Sequence, residues 1–272
     1  MAYRFNPLVS WRLSQLFEKL KPDLIHFHGT RAAFQGTLLP LPCPAIYTAH
    51  GAATLPIQSP LRRMLMHFVE RRNLRSVRLF TGVSIRDVEA VTGNVTDGVY
   101  IPNPVDPRFF SRDSCRTGTP LREREPLVLG TVARLVPQKG LETLLDAAAL
   151  LSREMSVEIR IVGDGPLRPS LEQQAKKAGL TCQFYGALSD PLPVLKEFDI
   201  CVIPSRWEGQ PLSLLEALAA GIPVVTSDCP GLRETAEELG LKHTFPVDDA
   251  RALRACLLCL AEKTPDEVSA EC

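Results

Sequence analysis

The stretch Glu208-Gly209-Gln210-Pro211-Leu212-Ser213-Leu214-Leu215-Glu216 is the most informative in this chain, because it places two carboxylates eight residues apart at a strand-to-helix junction. The apolar run Ile200–Ser205 before it has the length of a strand. Downstream, apolar residues recur at helical spacing, at Leu212, Leu215, Leu218 and Ala219. We therefore expect Glu208 in a loop at the carboxyl edge of a sheet and Glu216 about two turns into the next helix. Free backbone N–H groups near Gln210 to Ser213 would face the same crevice and suit a phosphate or a sugar oxygen.

Composition indicates a soluble globular protein of one large or two ordinary domains. The chain has 272 residues, of which 45% are hydrophobic and 23% charged. It contains neither an apolar run long enough to span a membrane nor an N-terminal secretory pattern, so we expect a cytoplasmic location. The eight cysteines are scattered, mostly within apolar runs, which favours reduced core thiols over a disulfide framework.

Charge is distributed unevenly along the chain. Residues 1–120 carry 15 Lys/Arg against 8 Asp/Glu, a net +7, whereas residues 121–272 carry 16 against 23, a net −7. This asymmetry predicts two domains, 1–120 and 121–272, with the polar stretch Ser111–Glu125 as linker. The basic first half favours anionic partners.

The second half alternates strand-length apolar runs with amphipathic helical patterns. The expected strands are Leu127–Ala133, Val157–Gly163, Cys182–Gly186, Ile200–Ser205 and Pro223–Ser227, and the expected helices are Leu141–Leu151, Leu167–Ala178, Pro191–Phe198, Pro211–Ala220, Gly231–Glu238 and Ala250–Ala261. Such alternation predicts an α/β domain with a doubly wound parallel sheet, which binds ligands beyond the carboxyl ends of its strands.

The first half repeats this pattern less completely. Its expected strands are Asp23–His28, Ala45–Ala49, Leu79–Ser84 and Val99–Ile101, and its expected helices are Ser10–Leu20, Pro60–Val77 and Arg86–Val91. We therefore expect two Rossmann-type sheets facing a cleft, the N-terminal one incomplete. That architecture is common to many nucleotide-using enzymes and does not by itself fix a function.

Two further strand ends in the second half carry ligand-binding residue types. Arg134 leaves the first strand and Lys139 precedes a helix, so both cations could converge on a diphosphate. Gly163 and Gly165 form a second turn in which backbone could approach a ligand closely. Taken alone, a loop cation is usually solvated and a glycine turn is usually a local requirement, so these residues count as support for the paired glutamates.

Together these elements resemble the nucleotide-sugar-binding half of the family 4 retaining glycosyltransferases, which have the GT-B fold. The matching elements are Gly130–Arg134 with Lys139-Gly140, Val162–Pro166, Pro204-Ser205 through Glu216-Ala217, and Ala220–Val225. The first half matches more loosely, at Pro22–His28, Thr48–Gly51, Glu70–Arg72, Val83-Ser84 and Ile101–Asp106, with Pro104 where the family usually has glycine. Relative to the family, the chain lacks roughly seventy to ninety residues before Met1 and the closing C-terminal helices, which suggests a fragment or a reduced protein.

The resemblance implies a role for each matching residue. Arg134 and Lys139 would hold the donor diphosphate and offset the charge on the departing nucleotide. Glu216 would bind the nucleotide ribose and Glu208 the donor sugar, while His50 would reach the donor sugar across the cleft. The segment Gly209, Gln210, Pro211 and Leu212 would orient sugar and phosphate, with Gly163 and Gly165 in support. The family has no agreed covalent nucleophile, so we assign no general base.

Histidine and cysteine patterns give little support for a metal. His26 and His28 share one face of a strand, but no third ligand is evident, and hydrogen bonding to a neighbour is the alternative. The spacing of Cys256 and Cys259 suits a metal but lies in a helical apolar pattern, which favours buried thiols. No Asp-x-Asp element of the metal-dependent glycosyltransferases is present. We therefore expect no metal and no cofactor beyond the nucleotide-sugar substrate, with UDP favoured over GDP on family habit.

The stretch 60–79 combines a basic and an apolar pattern. Its arginines are Arg62, Arg63, Arg71, Arg72, Arg75 and Arg78, with leucine, methionine, phenylalanine and valine between them. Such a helix can lie on an anionic membrane surface, or it can pack on its own sheet with the outer face solvated. Nucleic acid is disfavoured because stacking aromatics are not interleaved with the cations.

Three functions remain open from the sequence. The first is transfer of a sugar from a nucleotide-diphosphate sugar to a glycan or lipid-linked acceptor with retention of configuration. The second is a truncated, non-catalytic nucleotide-sugar-binding module, and the third is a GT-B relative such as an epimerase, which the Gly209–Leu215 sequence resembles less.

Overall fold

The chain divides into two compact units, Met1–Asn103 and Pro104–Cys272. The computed structural model describes residues 6–51, 60–110, 120–263 and 267. The division falls earlier than the expected boundary at 120–121, because Phe109 is buried and packs into the core of the second unit with Leu195 and Phe198.

The first unit contains four parallel strands in the order β1-β2-β3-β4. The strands are β1 (Ile25–His28), β2 (Ala45–Ala49), β3 (Leu79–Gly82) and β4 (Val99–Tyr100), and the helices are α1 (Pro7–Leu20), α2 (Thr30–Gly36), α3 (Pro60–Ser76) and α4 (Ile85–Thr92). On β2, Tyr47 is fully buried and meets the ring of Phe80 edge-on at 5.1 Å between centroids. Its core therefore lies along the two central strands.

The second unit contains six parallel strands. They are β5 (Leu127–Val132), β6 (Val157–Val162), β7 (Thr181–Gly186), β8 (Ile200–Ile203), β9 (Val224–Ser227) and β10 (Thr244–Phe245). The helices are α5 (Leu141–Leu151), α6 (Arg168–Lys177), α7 (Leu192–Leu195), α8 (Leu212–Ala219), α9 (Leu232–Glu238) and α10 (Ala250–Ala261). Alternate residues of β5 enter separate cores: Leu127 and Leu129 pack with α5 and α10, whereas Val128 packs with Phe198 and Leu214. Helices therefore cover both faces of this sheet.

The strand order of the second sheet is β10-β9-β8-β5-β6-β7. From β5 the chain moves outward through β6 and β7, then returns to the other side of β5 for β8, β9 and β10. The order thus reverses between β5 and β8, and a crevice forms at the carboxyl ends of two such strands in doubly wound sheets.

Most expected elements occur within one or two residues of their predicted ends, and four differ. Helix α1 begins at Pro7 rather than Ser10, because the Asn6 side chain caps it by accepting a hydrogen bond from the Leu8 N–H. Helix α2 was not predicted, because its seven residues carry no amphipathic repeat. Strand β10 was not predicted, because it has only two residues. The helix expected over Pro191–Phe198 spans only Leu192–Leu195, because Phe198 turns inward and its ring covers Gly130, leaving no room there for a Cβ atom.

Candidate functional site

Lys139 and Glu208 form the centre of the candidate site. Lys139 ends the loop after β5 and Glu208 lies in the loop after β8, and the lysine Nζ contacts Glu208 Oε1. The same oxygen accepts a 2.6 Å hydrogen bond from Ser205 Oγ. Only 15% of the lysine side chain and 8% of the glutamate side chain are exposed. The sequence predicted these two residues as separate ligand contacts, and the structure joins them in one ion pair.

The loops that carry the pair are also joined through Gln138 and Arg206. Gln138 Nε2 donates to the carbonyl of Trp207 at 2.9 Å, and the Arg206 backbone N–H donates to the carbonyl of Gln138 at 2.8 Å. The Arg206 guanidinium contacts both oxygens of Asp248 at 2.9 and 3.0 Å. These contacts join the loops after β5 and β8 to each other.

Two glycines permit the close approach of these loops. Gly140 has a φ of +59°, and a Cβ atom there would lie 2.1 Å from the carbonyl oxygen of Pro204. Gly231 has a φ of +90°, and its Cβ atom would lie 1.9 Å from the carbonyl oxygen of Glu208. A side chain at either position would displace the loop after β8, so both glycines support the geometry of Glu208.

The loop after β8 leads into the N-terminus of α8. Gln210 and Pro211 are buried, and Leu212, the first residue of α8, is half exposed. Pro211 adopts an extended conformation and no side chain caps the helix. The backbone N–H groups of this first turn therefore suit a negatively charged ligand group, and ligand binding by the segment Gly209 to Leu212 stays a prediction.

Glu216 lies on α8 and is half buried. Within the described part of the chain, its carboxylate has no hydrogen bond or ion pair. Burial raises the pKa of this carboxyl above its ordinary value. A partly buried carboxylate without a partner is suited to accept hydrogen bonds from ligand hydroxyls.

Arg134 follows β5 and is exposed. Among the described residues, no side chain pairs with its guanidinium. It therefore retains all five N–H donors for an anionic ligand, unlike Lys139, whose charge is already offset by Glu208.

Gly163 and Gly165 are required by contacts within the chain. Gly163 has a φ of +133°, and its Cβ atom would lie 1.9 Å from the carbonyl oxygen of Ala133. A Cβ atom on Gly165 would lie 2.5 Å from the carbonyl oxygen of Leu135. The turn thus packs against the segment that carries Arg134, which accounts for both glycines; their contact with a ligand stays a prediction.

The first unit contains a separate cluster of histidines at the carboxyl edge of its sheet. His28 Nδ1 lies 3.0 Å from His50 Nε2, and the rings of His26 and His28 lie 4.1 Å apart between centroids. His26 Nε2 lies 2.7 Å from Thr48 Oγ1. Desolvation, followed by the charge of His28, lowers the pKa of His26 and of His50. Within the described ranges, no group of three metal-ligating side chains could hold a metal ion.

Sequence reasoning missed four residues that shape these sites: Ser205, Gln138, Arg206 and His28 as a partner of His50. Ser205 precedes Glu208 by three residues in a loop, a spacing that could have indicated a local hydrogen bond. The link between His28 and His50 follows from the pairing of β1 with β2, where His28 lies opposite Thr48. The contacts of Gln138 and Arg206 join loops almost seventy residues apart, and no local pattern predicts them.

Comparison with known proteins identifies the family. The family described as "Glycosyl transferases group 1" matches residues 126–263, and that described as "Glycosyltransferase Family 4" matches residues 1–109. The chain belongs to the glycosyl transferases group 1 family. The match includes every residue of the Lys139–Glu208 site.

Individual relatives agree with this assignment. The chain is 28% identical over 268 residues to a phosphatidyl-myo-inositol mannosyltransferase of Mycolicibacterium smegmatis, covering 95% of this chain and 67% of the relative. Two other bacterial glycosyltransferases are matched over only 35% and 38% of their own lengths.

Solved structures of glycosyltransferases confirm the fold class. A sucrose-phosphate synthase from Thermosynechococcus elongatus has a TM-score of 0.75 at 22% identity, over 97% of this chain and 73% of its own. The HepE protein of Anabaena, solved in complex with UDP and glucose, has a TM-score of 0.72 at 22% identity, over 97% and 77%. The fold is therefore α/β and GT-B-like, with a Rossmann-type sheet in each unit.

Proposed function

We propose that this protein transfers a sugar from a nucleotide-diphosphate sugar, preferably a UDP-sugar, to a glycan or lipid-linked acceptor with retention of anomeric configuration. One observation carries the proposal: the Lys139–Glu208 pair, the uncapped start of α8 and the carboxylate of Glu216 lie where the strand order reverses. Membership of a glycosyl transferase family supports the reaction class. The UDP bound to the HepE protein supports the choice of nucleotide, and the mannosyltransferase named for phosphatidyl-myo-inositol supports a lipid acceptor.

The chemistry of the second unit suggests a division of roles among its residues. Arg134 would contact the diphosphate with a planar fork, and Lys139 would add a point charge near the leaving oxygen. Both would stabilise the negative charge that develops on the departing nucleoside diphosphate. Glu216 would accept hydrogen bonds from the ribose.

Glu208 presents one carboxylate oxygen to the ligand in this proposal. Its Oε1 is already used by Lys139 and Ser205, so Oε2 remains to accept a hydroxyl of the donor sugar. His50 would act on the donor from the first unit, as the family resemblance implies. No residue is assigned as a covalent nucleophile.

The test compares donor binding with sugar release. Glu208→Gln keeps the size of the side chain but removes the charge that pairs with Lys139. We expect sugar release from UDP-glucose and related donors to fall at least 100-fold, while the affinity for UDP changes less than fivefold. Glu237→Gln, at an exposed position on α9, serves as the control. Equal release by the wild type and the Glu208 variant would contradict the proposal.

A non-catalytic binding module is the second candidate. The binding residues proposed for the nucleotide all lie in one unit with its own buried core. This candidate predicts UDP binding that depends on Arg134 and Glu216, with no sugar release at any acceptor concentration. The same two measurements therefore distinguish it from the transferase.

The described part of α3 suggests contact with an anionic membrane surface. Met64, Phe68, Arg71 and Arg75 recur at spacings of four, three and four residues, which places them on one face of the helix, and all four are exposed. Among the described residues, no helix has the length and apolar character needed to cross a bilayer. We therefore propose peripheral attachment, with apolar side chains entering the interface and arginines contacting acidic headgroups.

One arginine of the basic stretch has a different role. Arg72 donates to Thr37 Oγ1 at 3.0 Å and to the Thr37 carbonyl at 2.6 Å, and its guanidinium lies 5.7 Å from the ring centroid of Phe34. It therefore holds α3 against α2. Arg62 and Arg63 lie outside the described side chains.

Vesicle flotation tests the membrane proposal. Substitution of Arg71 and Arg75 by glutamate should abolish binding to vesicles rich in phosphatidylglycerol, and Phe68→Ser should weaken it. A variant with Lys176 and Lys177 of α6 replaced by glutamate has the same net charge change at exposed positions of the other unit and should still bind. Unchanged binding by the α3 variant would refute the proposal.

A further inference from the structure

Among the described residues, the imidazole of His50 has one close side-chain neighbour that can share a proton with it, His28. His28 Nδ1 and His50 Nε2 are 3.0 Å apart, a normal hydrogen-bond distance. Between two neutral imidazoles one ring must donate and the other accept, so the bond couples the tautomers of the two residues.

The rest of the cluster holds His28, one partner of this bond, in place. His28 is held on β1 by pairing with β2, and its ring lies against His26, which is itself bonded to Thr48. Thr48 Oγ1 in turn lies 2.6 Å from Thr81 Oγ1 on β3. The rings of the two β1 histidines therefore have little freedom to rotate.

The backbone next to His50 is anchored by a buried acid. The N–H of Gly51 donates to Asp87 Oδ2 at 3.0 Å, and the same oxygen accepts from Ser84 Oγ at 3.1 Å. This contact fixes the position of the main chain at residue 50 but not the rotation of its imidazole. His28 supplies the constraint on the ring.

We infer that His28 is a positioning residue for His50: the Nδ1···Nε2 hydrogen bond sets the orientation and tautomer of the His50 imidazole for sugar transfer. The inference rests on the proposed function, in which His50 takes part. No metal or covalent step is needed, since the bond only selects which nitrogen of His50 carries the proton and where the ring points.

The charges around the cluster give the bond a pH dependence. Protons on both facing nitrogens would set N–H against N–H, so the hydrogen bond requires that either His28 Nδ1 or His50 Nε2 carry none. Desolvation and the charges of His28 and His26 lower the pKa of His50, whereas Asp87 on α4 raises it. If the charge of His28 is removed, the pKa of His50 should rise and the acid limb of activity should move to higher pH.

Three substitutions at one position test the inference. An asparagine amide can lie near the position of imidazole Nδ1, a glutamine amide lies closer to that of Nε2, and phenylalanine keeps only the ring. We expect His28→Asn to retain sugar transfer within about threefold, with its acid limb shifted upward. We expect His28→Gln and His28→Phe to lose at least tenfold in kcat, with the Kd for UDP unchanged. His243→Asn is the control, since His243 lies in the second unit and contacts Lys263.

Nitrogen NMR of the imidazoles gives a readout that does not depend on turnover. In the wild type and His28→Asn, the two ring nitrogens of His50 should show one dominant tautomer. In His28→Phe they should average between tautomers. Unchanged His50 shifts in His28→Phe, or equal activity of all three variants, would overturn the inference. Full activity of His50→Ala would instead refute the role of His50 in the proposed function, while the NMR result would still report on the pair.

Discussion

Removal of Lys139 should leave Glu208 as a buried, unpaired carboxylate. Breaking a buried ion pair from one side costs about 3–5 kcal/mol. The side chains here are 15% and 8% exposed, and Ser205 still satisfies one carboxylate oxygen after the substitution. We therefore expect Lys139→Met to lower the free energy of unfolding of the second unit by about 3 kcal/mol, near the lower limit of that range.

A double-mutant cycle isolates the pair. Glu208→Gln alone leaves the lysine charge without a partner, whereas Lys139→Met together with Glu208→Gln removes both charges. The loss in free energy of unfolding of the double variant should be about 2 kcal/mol smaller than the sum of the losses of the two single variants.

The chain offers a direct assay of this unit. Its two tryptophans are Trp11 and Trp207, and the carbonyl of Trp207 accepts a hydrogen bond beside the ion pair. In a Trp11→Phe background, urea unfolding followed by tryptophan fluorescence reports on the second unit. Lys176→Met, at an exposed lysine of α6, should change stability by less than about 0.5 kcal/mol. The reasoning would be refuted if the losses in free energy of unfolding of the two single variants add up to that of the double variant. It would also be refuted if Lys139→Met lowers the free energy of unfolding by less than about 1 kcal/mol.

Three further predictions concern glycine, a buried acid and an interior arginine. Gly231→Ala should lower the free energy of unfolding, measured in urea, several times more than Gly179→Ala does. Both glycines have positive φ, but a Cβ atom at 231 would lie 1.9 Å from the Glu208 carbonyl oxygen, whereas Gly179 faces open space. We expect Gly179→Ala to lower the free energy of unfolding by about 1 kcal/mol. Burial raises the pKa of Glu70. Its contribution to stability is therefore full below the ordinary carboxyl pKa and is lost as pH rises through the raised pKa, so the free energy of unfolding should fall with pH over that interval. Glu70→Gln should remove this fall from a plot of the free energy of unfolding against pH. Arg72→Lys should lower the free energy of unfolding by roughly 1 kcal/mol, measured as a lower melting temperature. The reason is that lysine cannot make both of the hydrogen bonds that Arg72 makes to Thr37.

Local pattern was sufficient for the regular elements of this chain. Runs such as Leu127–Ala133 and Val157–Gly163 are apolar enough to be read as buried parallel strands, and they occur as β5 and β6. Elements of few residues, such as β10, carry too little periodicity to be recognised. The short α7 shows a second limit of prediction from local pattern. The inward position of Phe198 depends on the space beside Gly130, which is not visible in the local sequence, rather than on helix propensity.

The candidate site was predictable in its residues but not in its contacts. Glu208, Glu216, Arg134 and Lys139 were recognisable as chemistry-bearing residues at strand ends. Lys139 pairs with Glu208, whereas Arg134 has no side-chain partner among the described residues. This difference depends on the distance between two loops in the folded unit. Electrostatic pairing between distant segments leaves no signature in either segment alone.

The ion pair between Lys139 and Glu208 joins residues that are 69 positions apart. Ribosomal synthesis delivers the lysine well before its partner, and β8 must pair with β5 before the two residues can meet. Under the proposed function, thermal protection by UDP would therefore report on the pairing of β5 with β8 rather than on the state of a single loop.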